Sequence, residues 1–320
     1  MRKATKVWLI TAASLVLVGC ILFVGVMSTR GWNFAKLSTV RYETNMHEIS
    51  ETFSDISLTT DTADIVFALS DDGKCRVECY EDQNAKHSVA VENDTLVIEI
   101  VDIKSWYDYI GFHFGSQKIT VYLPKTEYNA LSIHESTGNV EMPKDFAFAN
   151  ADISLSTGDV NFFASVREAV KTKTSTGNIR VEDTSAGSLD LSVTTGMVTF
   201  SGVTCRGDIT VDVSTGKASL TDISCKSVIS TGTTGSISLN RVIATNKFSI
   251  ERSTGDVKFN GCDAAELYVK TNTGDVTGSL LTDKVFITDT DTGSVDVPKT
   301  AVGGRCEINT DTGNIKIRVE

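Results

Sequence analysis

The side chains with chemistry to offer are carboxylates, histidines, cysteines and one aromatic cluster, and their spacing narrows what each can do. Asp256 with Asp275, and Asp291 with Asp311 and nearby Asp289, recur about one repeat apart. Stacked carboxylates can share a Ca²⁺ ion, or they can cap turns through their own side chains. Asp152, Asp190 and Asp212 are acids of the kind that polysaccharide lyases and hydrolases use in a side groove. Here they are scattered along the strands without a matching column of Arg or Lys. The histidines His47, His87, His113 and His134 all precede the regular repeats, and none lies in a nucleophile motif. No catalytic, cofactor-binding or metal-ligating residue is assigned on this basis, and no cofactor is expected.

Seven cysteines divide by position. Cys205 and Cys225 each follow their repeat glycine by nine residues, which puts them in adjacent coils and within disulfide reach. The same column holds Ala147, Ala186, Ala244 and Ala264, so a slot for small residues is the competing reading. Cys262 and Cys306 fall in apolar columns and read as core, Cys20 lies in an apolar run, and Cys75 and Cys79 are too far apart along one strand to bond. Neither cysteine spacing resembles a zinc site. The aromatic cluster runs from Trp106 to Phe114, and its Trp106, Tyr107, Tyr109 and Phe112 are the candidate ligand-binding residues. Exposed rings of this kind stack on sugars or dock partners; the alternative is a hydrophobic lid over the first coils.

The element that must position these groups is a repeat. A Ser/Thr-Thr-Gly core recurs with its glycine at Gly138, Gly158, Gly177, Gly196, Gly216, Gly235, Gly255, Gly274, Gly293 and Gly313, at steps of 19 or 20 residues. Apolar residues stand seven and five places before the glycine and two and four after it, as in Leu131, Ile133, Val140 and Met142. Polar residues fill the places between. That alternation makes two short strands per repeat and excludes a helix. Glycine supplies positive φ at the corner between them, so these ten glycines are structural turn residues. One repeat cannot cover its apolar face, but stacked coils pair their backbones and share a core. The fold class is therefore all-β: a single-stranded, right-handed parallel β-helix (β-solenoid) of about ten 19–20-residue coils, the hand following from same-sense crossovers.

Ahead of the repeats, Arg2, Lys3 and Lys6 precede the uncharged run Val7 to Met27, which as a helix spans about 31 Å. A transmembrane anchor with a cytoplasmic N-terminus and an extracytoplasmic C-terminal part is the reading adopted. A cleaved signal peptide and a lipoprotein site at Leu17-Val18-Gly19-Cys20 are the alternatives. Residues 1–27 carry +3 of the net −11, which leaves −14 on the rest. That balance argues against nucleic acid and other polyanions as partners.

Between Trp32 and Leu131 the repeat is degenerate. Ile56, Leu58, Ala63, Ile65 and Phe67 match the repeat columns with Ala in place of Gly, and predict an eleventh coil. Strands at 75–80, 87–92, 95–101 and 118–123 then predict a cap over the N-terminal edge. The last strand, ending at Glu320, has no cap after it, and Lys316, Arg318 and Glu320 read as charged gatekeepers of an open edge. The expected division is 1–30 basic start and anchor, 31–130 cap with degenerate coil, and 131–320 regular repeats.

Gly31-Trp32-Asn33-Phe34 after the apolar run, Ile119 to Pro124, and the repeated Ser-Thr-Gly-Asp/Asn-Val resemble the bacterial putative-adhesin β-strand-repeat proteins, including LiaG-like members. The resemblance covers nearly the whole chain. It implies a membrane anchor, an extracytoplasmic β-helix and an association with Gram-positive envelope stress, and it carries over no catalytic residue. The expected function is a non-enzymatic binding or structural protein of the cell envelope, partnered by a cell-wall component or an envelope protein. A polysaccharide-active β-helix enzyme is the alternative.

Overall fold

A computed structural model describes residues 3–32, 41–102 and 116–320. The apolar run forms one helix, α1 (Lys3–Thr29). Within it Thr5–Thr29, with a mean hydropathy of 2.6, is long and apolar enough to cross a membrane, and among the described residues it is exposed from Thr5 to Val26, with Met27 buried.

The strands before the regular repeats are β1 (Tyr42–Ile49), β2 (Asp55–Thr62), β3 (Asp64–Leu69), β4 (Cys75–Asp82), β5 (Ala85–Glu92), β6 (Thr95–Asp102) and β7 (Lys118–Leu123). The repeats supply β8 (Glu127–Thr137), β9 (Val140–Met142), β10 (Ala147–Thr157), β11 (Val160–Phe162), β12 (Ser165–Thr176), β13 (Ile179–Glu182), β14 (Ser185–Cys205), β15 (Asp208–Thr234) and β16 (Ile237–Thr254). They continue as β17 (Val257–Cys262), β18 (Glu266–Thr273), β19 (Val276–Leu280), β20 (Lys284–Thr292), β21 (Val295–Asp296), β22 (Gly304–Thr312) and β23 (Ile315–Val319). The result is a β-solenoid in which coils stack through parallel strands on both sides of each corner. Leu131 pairs with Ala151, Ala151 with Val170, and Val170 with Leu189 on the first side. Val140, Val160, Ile179 and Val198 do the same on the second. The inward columns are the alternating apolar positions, and they form one continuous buried core.

The corner is closed by three devices. Gly216 has φ +143°, and a Cβ there would lie 1.7 Å from the Gly196 carbonyl oxygen, so both conformation and space demand glycine. Three places before the corner, buried threonines satisfy the glycine carbonyls: Thr174 Oγ1 donates to Gly158 O at 3.3 Å and Thr271 Oγ1 to Gly255 O at 3.2 Å. One place after it, side-chain oxygens accept from the next coil's backbone. Asp159 N–H donates to Asn139 Oδ1 at 2.9 Å, and Asn178 N–H to Asp159 Oδ1 at 2.7 Å.

The predicted eleventh coil is present in register, with Ile56 opposite Leu131, Leu58 opposite Ile133 and Ile65 opposite Val140. The chain does not leave it directly for β8. It runs outward to β6 and β7, which lie parallel against β2 and β3 on their far side. Antiparallel strands finish this end, β5 on β6, β4 on β7 and β1 on β4.

The other end corrects the expectation of an open C-terminal strand. β22 is paired on both sides, with β18 and with β20, and β23 lies between β19 and β21. The last coil in sequence is therefore inserted beneath the one before it, and β20–β21 is the outer coil. The column residues agree with this order. Ile308 is fully buried, whereas the corresponding residue of the outer coil, Thr288, is half-buried and polar. Gly303 and Gly304 make room for the insertion: a Cβ on Gly304 would lie 1.8 Å from Ala265 O, and Gly303 has φ +104°. Lys284 of the outer coil reaches Asp263 Oδ1 at 2.7 Å.

Candidate functional site

The aromatic candidates Trp106, Tyr107, Tyr109 and Phe112 lie outside the described residues. At the N-terminal end of the solenoid the described chain presents a cleft of about 460 Å³, walled by the end of β1, the segment 50–53, residues 73–76 and Tyr128. Phe53 and Tyr128 line its floor and begin an aromatic file whose third ring, Phe148, is buried behind them. Phe53 stacks on Tyr128 at 5.9 Å and 20°, and Tyr128 meets Phe148 at 5.9 Å. These three rings stand ten residues before Ala63, Gly138 and Gly158, so one column of three successive coils supplies them. Tyr128 donates its hydroxyl to Pro124 O at 3.1 Å, which fixes the ring in place. Glu48, Glu51, Lys74 and Arg76 set mixed charge around the rim, with Arg76 held by Asp72 at 3.0 Å. An apolar floor with a few polar groups is the usual make-up of a small-ligand or side-chain pocket. Cys75, the nucleophilic side chain there, has its thiol pushed up to about 12 by burial, so at neutral pH it is protonated and unreactive.

At the other end of β4 from the cleft lies a buried polar file. Glu81 accepts the backbone N–H of His87 at 2.7 Å and contacts His87 Nδ1 at 2.7 Å, while Asn45 Nδ2 donates to its other oxygen at 2.7 Å. His87 Nε2 is 2.9 Å from Thr60 Oγ1. Thr60 pairs in register with Glu135, which is 5% exposed. Glu135 Oε1 accepts the Ala63 N–H at 3.3 Å, and its Oε2 has no partner. Burial, reinforced by the charge of Asp64 and opposed by that hydrogen bond, pushes the Glu135 carboxyl up to about 8.

The other sequence candidates separate on inspection. Asp152 and Asp190 are exposed, and the register places a single lysine, Lys171, between them. Asp212 sits elsewhere, accepting from Thr231 Oγ1 at 3.2 Å. Asp256 and Asp275 belong to the corner ladder: Asp275 N–H donates to Asp256 Oδ1 at 3.1 Å. Asp291 and Asp311 are exposed side by side in β20 and β22. Cys205 and Cys225 are free, buried thiols in the small-residue slot, that of Cys225 pushed up to about 12 by burial and then by Cys205 and Asp208. His134 is exposed and 3.5 Å from Ser132. His113 falls outside the described residues.

A family model described as Toastrack DUF4097 matches residues 53–210 and again 203–320. Among solved structures, a putative adhesin from Parabacteroides distasonis superposes with a TM-score of 0.53 at 15% identity, over 76% of this chain and 98% of that one. A putative adhesin from Bacteroides fragilis aligns at a TM-score of 0.44 and 16% identity, over 87% of this chain and 97% of its own. A putative lipid binding protein from Parabacteroides distasonis aligns at 0.46 and 15%, over 88% and 98%. At such identities the likeness to the first is one of fold. No curated protein matches the chain by sequence.

Proposed function

The chain belongs to the Toastrack DUF4097 family, and on that premise we propose that it is a membrane-anchored, extracytoplasmic and non-enzymatic binding rod of the cell envelope. The observation that carries this reading is the helix Thr5–Thr29. Its apolar surface from Val7 to Val26 is exposed among the described residues, and a bilayer is the solvent that such a 25-residue helix fits. Arg2, Lys3 and Lys6 before it favour a cytoplasmic start. Beyond the helix, stacked coils hold outward side chains in fixed columns, a rigid extended surface suited to a polymer or a protein partner. A cell-wall component is the partner favoured for the aromatic-floored cleft and for the Trp106–Phe112 segment, because aromatic faces stack on sugar rings. The names of the adhesin neighbours agree with a binding role.

Co-sedimentation of the purified full chain with isolated cell walls tests the reading. Saturable pelleting, reduced by Trp106→Ala with Tyr107→Ala or by Phe53→Ala, is the expected result. A chain that stays in the supernatant rules out the wall ligand and directs the search to an envelope protein by crosslinking in intact cells. Recovery of the chain in a carbonate-washed supernatant instead of the membrane pellet rules out the anchor.

A further inference from the structure

We propose that Cys79, Glu81 and His87 form a binding site for a divalent transition metal of the zinc class, built into the cap at the N-terminal end of the solenoid. Their ligand atoms all lie within 4.8 Å of one another, and among the described residues this is the one group of three or more His, Cys, Asp and Glu side chains close enough to share an ion. Two features of the fold assemble it. Cys79 and Glu81 are two apart on β4 and so point to the same face. The hairpin closed at Asp82 and Ala85 brings β5 and its His87 back onto that face. All three side chains are at most 4% exposed.

The donor set selects the ion. A sulfur, an imidazole nitrogen and one carboxylate oxygen suit Zn²⁺ or Co²⁺, whereas Ca²⁺ and Mg²⁺ call for oxygen cages. The surrounding hydrogen bonds are those that orient metal ligands. Asn45 Nδ2 holds Glu81 Oε1 at 2.7 Å, and Thr60 Oγ1 holds His87 Nε2 at 2.9 Å. A hydroxyl can donate or accept, so Thr60 serves His87 in either tautomer. Without metal, His87 Nδ1–H donates to Glu81. With metal on Nδ1, the proton sits on Nε2 and is donated to Thr60. The Nδ1 to Oε2 separation of 2.7 Å then has to open to roughly 3.3 Å, the distance between neighbouring ligands around a tetrahedral zinc. The Cys79 thiol loses its proton to solvent as the metal–sulfur bond forms. A water would complete four-coordination. Ligands on β4 and β5, oriented from β1 and β2, make the ion a clamp between the cap and the first coils.

The test uses the full chain in detergent, stripped with a chelator and titrated with Co²⁺, both in the folded state and during refolding from urea so that a closed cap cannot hide the site. One equivalent of Co²⁺ should produce visible d–d bands and a near-ultraviolet thiolate-to-cobalt band, both displaced by Zn²⁺. Cys79→Ser should lose the thiolate band, and Cys225→Ser and Cys262→Ser should keep it. His87→Gln should weaken Zn²⁺ binding at least tenfold. Absence of the thiolate band under both loading conditions in a chain with native circular dichroism overturns the site. So does a band that survives in Cys79→Ser, which would assign the cobalt to another thiol such as exposed Cys20.

Discussion

Asn314 donates its backbone N–H to Asp275 Oδ1 at 2.7 Å across 39 residues of chain, while Ser294, one repeat after Asp275 in sequence, donates to Asn314 Oδ1 at 3.0 Å. The corner ladder thus runs Asp275, Asn314, Ser294, and not in chain order. The glycines repeat the pattern: a Cβ on Gly313 would meet Gly274 O at 2.0 Å, and one on Gly293 would meet Gly313 O at 1.9 Å. At the opposite end, β2 lies between β6 and β8. At both ends, then, the outer coil is not the coil nearest the chain terminus, and pulling on a terminus does not simply peel a coil away.

Crosslinking can read this order. With Asp275→Cys and Asn314→Cys the two Cα atoms are one strand spacing apart, about 4.8 Å, and a disulfide should form on oxidation. Asp275→Cys with Ser294→Cys places them two spacings apart, about 9.6 Å, and should stay reduced. Peptide mass mapping distinguishes the two, and the reverse outcome would establish sequential stacking.

Gly216→Val should destabilise the solenoid by about 3 kcal/mol or more, because it combines an unfavourable φ with a clash against backbone that neighbouring coils hold in place. Lys217→Ala, at the adjacent exposed position, should change stability by less than about 0.5 kcal/mol. Urea unfolding followed by circular dichroism compares them, and equal midpoints would remove the corner from the account of stability.

The buried Glu135 makes a signed prediction for pH. Its folded-state carboxyl titrates near 8 against an ordinary 4.5, so folding favours the protonated form. Its contribution is fully present below pH 4.5 and declines as the pH rises, because only the unfolded chain releases the proton. It levels off above about pH 8, with a total loss bounded by about 5 kcal/mol. Glu135→Gln should flatten the fall in melting temperature between pH 5 and 8 and raise it at pH 8. Parallel pH profiles for the two proteins would contradict the assignment.

Arg252 is 4% exposed, three places before its corner, where Val193 and Val213 stand in other coils. Its guanidinium takes the space left by Gly232 and donates to Ser230 Oγ at 2.7 Å and Glu251 O at 3.0 Å, with no ion-pair partner among the described residues. Burial lowers it to about 10, against the opposing charge of Asp212. Because Ser230 keeps its own bond to Val211 O at 3.1 Å, Arg252→Met should stabilise the fold by about 1–3 kcal/mol. A lower melting temperature for Arg252→Met would mean that the buried charge is stabilising where it stands.

The repeat itself was legible in the amino-acid sequence, because a period-two strand and a positive-φ corner each impose a residue type at a fixed place. Leu131, Ile133, Val140 and Gly138 had to recur, and Ile56, Leu58 and Ala63 betrayed the degenerate coil by the same columns. The aromatic file was written there too, ten places before the first three corners in Phe53, Tyr128 and Phe148, as was the polar column of Thr60 and Glu135. Local periodicity states which face of a strand is buried. It does not state which strand lies beside it, since any coil of the right length can pair its backbone with any other. The insertion of β22 beneath β20 was therefore decided only in three dimensions, with Gly303-Gly304 and the polar Thr288 as its faint traces. The meeting of Cys79, Glu81 and His87 was decided there as well, because a hairpin outside the repeat joins residues that no shared spacing connects.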